Sequence, residues 1–181
     1  MKVSNSSNAA RFNLGKTMKL GVVGLATTGV LGSALLLTPD NTPIAQAQTA
    51  GAATTTMETA VFNQINAYRA TQKLPALKLN STITTQARNH SVTQASTKRM
   101  SHDGFQTRIN TIGQTVPWSG AAENVAYNYG YSDPATVAVN GWIKSPGHLA
   151  NIKGNFNLTG IGVAKNSQGQ VYFTQIFIRS R

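Results

Sequence analysis

The tightest constraint on this chain is the run Val171–Ile178. Val171, Phe173 and Phe177 alternate onto one face of a strand, and Tyr172, Ile176 and Ile178 onto the other. A strand that is apolar on both faces needs cover on both, which excludes a sheet with one wet side. The preceding run, Leu158–Ala164, is also rich in β-branched residues, and Lys165–Gln170 connects the two. The helical patterns described next supply the cover. The fold class read from the sequence is therefore α/β, a three-layer α/β/α sandwich around an antiparallel sheet.

Val61, Ile65 and Tyr68 fall at i, i+4 and i+7, the stripe of an amphipathic helix that ends before Pro75. Leu74, Leu77 and Leu79 read as an apolar connector. Asn80 or Ser81 caps a second helix running towards Met100, with Ile83, Ala87 and His90 on one face. A third helix spans Phe105 to Ile112, with Asp103 as its expected cap. Gln114–Tyr131 is aromatic and β-prone. Asp133-Pro134 opens a fourth helix, whose apolar face is Val139, Trp142 and Ile143. Ser145-Pro146-Gly147 breaks the chain and starts a fifth, short one, which places His148 and Asn151 one turn apart.

The sequence has 181 residues and no cysteine, which excludes disulfides, thiolate metal sites and a cysteine nucleophile. Arg11, Lys16 and Lys19 precede an apolar run, Leu20–Leu37, and Ala45-Gln46-Ala47 has the small-x-small form of a signal-peptidase site. Residues 1–47 read as a signal peptide cleaved near Ala47, leaving 181 − 47 = 134 residues in a secreted, extracytoplasmic protein. The alternative is an uncleaved anchor, since a run of about 18 apolar residues is near the lower limit for spanning a bilayer. Residues 48–56 read as a flexible lead-in and 57–181 as one domain. From Gln48 onward there are 12 Lys and Arg against four acids (Glu58, Asp103, Glu123, Asp133), a balance of 12 − 4 = +8. The basic residues are scattered, which suits attraction to polyanionic surfaces and not a specific nucleic-acid motif.

Candidate site residues are few. Glu123 lies in Ala121–Ala126, with Ala121 and Ala122 before it and Val125 and Ala126 just after Asn124, and a carboxylate in an apolar setting is paired or ligates something. His102 and His148 fall at predicted helix ends, and imidazoles with a carboxylate are the usual ligands for Zn²⁺ or a similar ion when thiolates are absent. Their sequence separations carry no local metal signature. His90, among Thr, Gln, Asn and Ser, reads as a partly buried or surface histidine. No Gly-x-Ser-x-Gly elbow marks out a serine nucleophile.

Six motifs occur in order: Asn66-x-x-Arg69, Leu77-Lys78-Leu79, Ser101-His102-x-Gly104, Glu123-Asn124, Trp142-x-x-Ser145-Pro146-Gly147-His148-x-x-Asn151-Ile152 and Tyr172-Phe173-Thr174-Gln175. In this the chain resembles the CAP superfamily of cysteine-rich secretory, antigen 5 and pathogenesis-related proteins, in its short bacterial branch, from about Met57 to Arg181. The resemblance implies a secreted α/β/α sandwich with a central cleft, where histidines of eukaryotic members bind a divalent metal. His102 matches the first histidine and Glu123 the acid of the Glu-Asn motif. Tyr172 stands where eukaryotic members carry a histidine, Ser145 falls near their second acid, and Ala122 replaces a glycine. His148 resembles the bacterial branch's own histidine and is read as the second imidazole, with Asn124, Asn151, Tyr172 and Ser145 in support.

Three functions follow as expectations. The first is a non-enzymatic binding domain for a lipid or cell-envelope component, with a divalent cation at His102, His148 and Glu123. Trp118, Tyr127 and Tyr129 are then either ligand contacts or core. The second is a metal-dependent hydrolase of wall polymer or peptide, with Glu123 as general base. The third is a cationic structural or adhesive envelope protein. The spatial test is that His148 lies close to His102 and Glu123.

Overall fold

The structure, a computed structural model, describes residues 43–181, with side chains from residue 51 onward. Most of the expected signal peptide, residues 1–42, lies outside the described residues. The elements are α1 (Pro43–Thr71), β1 (Lys78–Leu79), α2 (Ser81–Thr97), α3 (Phe105–Gly113), β2 (Trp118–Asn128), α4 (Pro134–Ile143), α5 (Pro146–Ile152), β3 (Leu158–Lys165) and β4 (Val171–Ser180). Helix starts follow local chemistry. Asn80 accepts from the Ile83 amide at 3.1 Å and Asp133 from the Thr136 amide at 3.1 Å, while Pro134 and Pro146 occupy first turns.

The sheet runs β1-β3-β4-β2. The three long strands are antiparallel as expected, with Val163 opposite Phe173 and Ala126 opposite Phe173 on its other side. The short β1 departs from that pattern. The stretch read as a connector pairs parallel with β3, Lys78 with Leu158 and Leu79 with Thr159. Asn66 holds this strand in place from α1 through both hydrogen-bonding groups of Leu77, at 3.0 and 2.8 Å.

Both faces of β4 are covered. Val171, Phe173 and Phe177 pack with Val61 and Ile65 of α1, Val139 and Trp142 of α4, and Ile152 of α5. Ile176 and Ile178 pack with Ile83 and Ala87 of α2, and Ile109 and Ile112 of α3. Gly160 and Gly162 of β3 permit close approach of α2, because a Cβ at Gly162 would strike the backbone of Ala87 and Arg88. Arg69, fully buried, ties α1 to the segment after α5. It donates to the carbonyls of Pro75 (2.9 Å), Ile152 (2.7 Å), Gly154 (3.1 Å) and Phe156 (3.3 Å).

Two local expectations are corrected. Residues 48–56 are helical, as part of α1, and are not an irregular lead-in. Their threonine hydroxyls bond back to the helix itself, as from Thr55 and Thr54 to the Gly51 carbonyl, so the polar side chains do not compete with it. Asp103 does not cap α3, whose N-cap is Gly104; it pairs instead with Arg99.

Strand β2 lies at one edge of the sheet, and an uncovered edge offers unpaired backbone groups. Here α4 and α5 cover it. The Trp142 indole N–H donates to the Val125 carbonyl at 3.0 Å, and the Asn151 amide donates to the Glu123 carbonyl at 3.4 Å. That wrapped edge is where the candidate residues meet.

Candidate functional site at the wrapped edge of the sheet

Glu123 pairs in register with Ile176, so its side chain lies on the face covered by α2 and α3. It is 1 % exposed, which requires a compensating charge. Arg108 of α3 supplies it, donating from Nε to Oε2 at 2.9 Å and from Nη2 to Oε1 at 2.8 Å. The guanidinium is itself held by the Asp103 carbonyl at 2.7 Å. His102, in the loop between α2 and α3, approaches Glu123 Oε1 through Nδ1 at 2.9 Å. A carboxylate accepts, so the contact assigns the proton to Nδ1. His102 Nε2 is buried and has no hydrogen-bond partner among the described residues.

Asn124, the next residue, faces the opposite side of β2, opposite Gln175. Its amide donates to the His148 carbonyl at 3.2 Å and its oxygen accepts from Asn151 at 2.9 Å. These bonds fasten α5 to β2 at the Glu123–Asn124 step. Asn151 therefore joins the short helix to the strand. His148 is 3 % exposed. Burial, the larger cause, pushes its imidazole below the ordinary histidine value, and a proton on both nitrogens of His102 would push the same way, so the ring of His148 is neutral at pH 7. Its Nδ1 is also buried without a partner among the described residues.

Hydrogen bonds thus join His102 to Glu123 on one face of β2, and Asn124 to Asn151 and to the backbone of His148 on the other. They leave Ser145 and Tyr172 out. Ser145 is the N-cap of α5, but its hydroxyl makes no capping bond. Tyr172 lies opposite Tyr127, four register positions from the Ile176–Glu123 pair, or about 13 Å along the strand. The two tyrosine rings stack at 5.0 Å, so Tyr127 is a packing residue too. Trp118 packs beside α3 and donates to the Ile109 carbonyl at 3.1 Å, whereas Tyr129 is well exposed.

Two residues of the cluster escaped the sequence reading. Arg108 was one, although it precedes Ile109 and lies four residues before Ile112, on the buried side of α3. A cation there, with a lone acid to be neutralised, is the signal that could have found it. His90 was the other. It is buried, with Nε2 2.7 Å from the Ser101 carbonyl, and desolvation lowers its pKa. Glu123 opposes that shift while Arg108 and His102 reinforce it, so His90 senses the carboxylate that His102 contacts.

Chemically, Glu123 is occupied. Both oxygens accept hydrogen bonds from Arg108 or His102, which leaves it poorly placed to ligate a metal or act as a general base. Among the described residues no group of three or more His, Asp or Glu side chains is arranged to hold a metal ion. The donors left over are imidazole nitrogens. The cavity against His148, between Val125 and Trp142, holds about 20 Å³, too little for an acyl chain.

A cysteine-free α/β/α domain with a carboxylate-held imidazole at a wrapped sheet edge is the class that fold and site define. The chain belongs to the cysteine-rich secretory protein (CAP) family, whose model matches residues 62–177. It is similar in structure to an extracellular protein containing an SCP domain from Bacillus anthracis (27 % identity, TM-score 0.60, covering 79 % of this chain and 45 % of that one). An outer surface protein from Borrelia burgdorferi shares the fold at 18 % identity, with a TM-score of 0.61 and coverage of 69 % and 93 %. A cysteine-rich secretory protein from Staphylococcus aureus does so at 19 % identity, TM-score 0.56, covering 70 % and 40 %. The chain thus spans less than half the length of the Bacillus and Staphylococcus proteins. No curated protein matches the sequence. Among the described residues no helix is long and apolar enough to cross a membrane.

Proposed function

We propose that this chain is an exported binding domain of the cell envelope whose sheet-edge site takes a divalent cation, such as Zn²⁺, through His102 and His148. One observation carries the reading. His102 is held at Nδ1 by a buried, arginine-clamped carboxylate and keeps Nε2 without a partner among the described residues. A carboxylate behind an imidazole in this way fixes the tautomer and raises the basicity of the remaining nitrogen, as behind metal-binding histidines. His148, kept neutral by burial, is the second donor. Glu123 acts as the orienting partner and not as a ligand.

Two imidazoles leave coordination positions open, and a bound cation would supply a Lewis-acidic anchor for a phosphate, carboxylate or carbonyl of an envelope component. Export rests on the leader-like residues 1–47 and on the extracellular and outer-surface names of two structural relatives. The hydrolase reading is weaker because it needs Glu123 free as a base, and Glu123 is fully engaged.

The test is Zn²⁺ affinity by calorimetry on the wild type and on His102→Ala, His148→Ala and Glu123→Gln, each checked for folding by circular dichroism. Either alanine abolishes the high-affinity step, and Glu123→Gln weakens it about 10–100-fold. Unchanged affinity in both alanine variants would falsify the site. Adhesion to anionic envelope polymer that is lost in salt but survives His102→Ala would favour the purely cationic surface reading.

A further inference from the structure

We propose that the polar pocket between the C-terminal half of α2 and the Ser101–Asp103 loop is a second ligand site, one that takes a single neutral pyranose unit of a surface glycan. The cavity holds about 200 Å³, and its lining includes His90, Thr93, Thr97, Arg99, Ser101 and Asp103, with Gln94 engaged by Thr174 and the Ser101 amide. It shares no lining residue with the cavity against His148, and it does not depend on the cation reading.

The chemistry of the lining selects the ligand. His90 Nε2 faces the Ser101 carbonyl at 2.7 Å, and a carbonyl only accepts, so Nε2 carries the proton and neutral His90 has Nδ1 left as an acceptor. The Thr93 and Thr97 hydroxyls give their hydrogens to the carbonyls of Asn89 (3.0 Å) and Thr93 (2.8 Å), which leaves their lone pairs for a ligand. Ser101 Oγ accepts from the Asp103 amide at 3.3 Å, and its hydroxyl hydrogen is uncommitted. At the rim Arg99 and Asp103 pair with each other, and each retains further hydrogen-bonding capacity. The pocket therefore offers acceptors interleaved with a few donors, which matches hydroxyl groups that both give and take a proton.

Charge argues the same way. The pocket lies at the C-terminal end of α2, whose carbonyl ends carry partial negative charge, and Asp103 adds to it, so an anion is disfavoured. Arg99 at the rim opposes a cation. The volume falls below the roughly 300 Å³ at which drug-sized sites begin, and suits one sugar ring.

The experiment is a titration of the full-length ¹⁵N-labelled protein with glucose, galactose and N-acetylglucosamine. Ammonium and inorganic phosphate are the competing probes, and the Thr93→Val and Thr97→Val variants the controls. Each valine keeps the shape of the side chain and removes one acceptor that faces the pocket. The expected result is a saturable shift of amides within residues 90–103 by at least one sugar. Each valine should weaken it about fivefold, as loss of one neutral hydrogen bond of about 1 kcal/mol implies. The proposal is overturned if no sugar shifts these amides, if both valine variants bind as wild type does, or if ammonium or phosphate produces the same saturable shift.

Discussion

Arg108→Met is the most direct test of how the site is held together. Methionine keeps the apolar stem packed in α3 and removes the two bonds to Glu123, at 2.9 and 2.8 Å. The carboxylate then stays 1 % exposed with only His102 left to partner it. Removing one member of a buried ion pair costs about 3–5 kcal/mol, because the other charge is stranded. The surviving His102 bond argues for the lower end, about 3 kcal/mol, which for a domain of this size lowers Tm by roughly 10 °C. The double variant Arg108→Met/Glu123→Leu removes both charges and fills the space with apolar atoms beside Ile176. It should recover most of the loss, giving a coupling of about 2 kcal/mol or more. Urea unfolding of all four proteins provides the cycle. A single-variant loss below about 1 kcal/mol, or simple additivity in the double variant, would refute the view that Arg108 exists to neutralise Glu123.

Two further outcomes follow from the same geometry. Asn124→Ala removes two of the three side-chain bonds that tie α5 to β2 and should cost about 1–3 kcal/mol; added to Asn151→Ala it should cost less than the sum, and faster amide exchange in α5 should report the loosened helix. His90 has its pKa lowered in the folded state, mainly by burial, so the unfolded chain takes up the proton first as pH falls. Its contribution is complete above the ordinary histidine value of about 6.5 and is lost as pH falls from there through the lower folded-state pKa. His90→Gln, which keeps a donor for the Ser101 carbonyl, should therefore flatten the acid side of a Tm–pH curve; an unchanged slope would show that His90 is not the group responsible.

Much of the fold was legible because it rests on periodicity. The two-faced pattern of Val171–Ile178 demanded cover on both sides, and the stripes carrying Val61, Ile83 and Val139 provided it. The miss at β1 has a simple cause: two residues paired to a distant strand leave no local pattern. The 48–56 helix was hidden because threonine has low intrinsic helix propensity, and sequence does not show that its hydroxyls turn back onto helix carbonyls. At the site, the lone acid Glu123 was rightly read as a group needing a partner, but the reading looked for histidines and overlooked Arg108. His90 was judged by its neighbours in sequence, where no acid or second histidine occurs, whereas the groups that act on it arrive from residues 102, 108 and 123.

The clamp on Glu123 also bears on which cation the site would favour. A free carboxylate beside two imidazoles would attract Ca²⁺ and Mg²⁺ as well as softer metals, because hard cations follow oxygen and charge. Arg108 cancels that charge and takes up the oxygens that would bind. What remains is nitrogen: His102 Nε2, backed at Nδ1 by the carboxylate, and the neutral ring of His148. Affinity must then come from imidazole coordination, which ranks Zn²⁺, Cu²⁺ and Ni²⁺ above the alkaline earths. If the proposed cation binds, the same arginine that stabilises the buried acid would also set the selectivity of the edge. Calcium binding as tight as zinc, or zinc binding that Ca²⁺ displaces, would mean that Glu123 is released from Arg108 when the site fills.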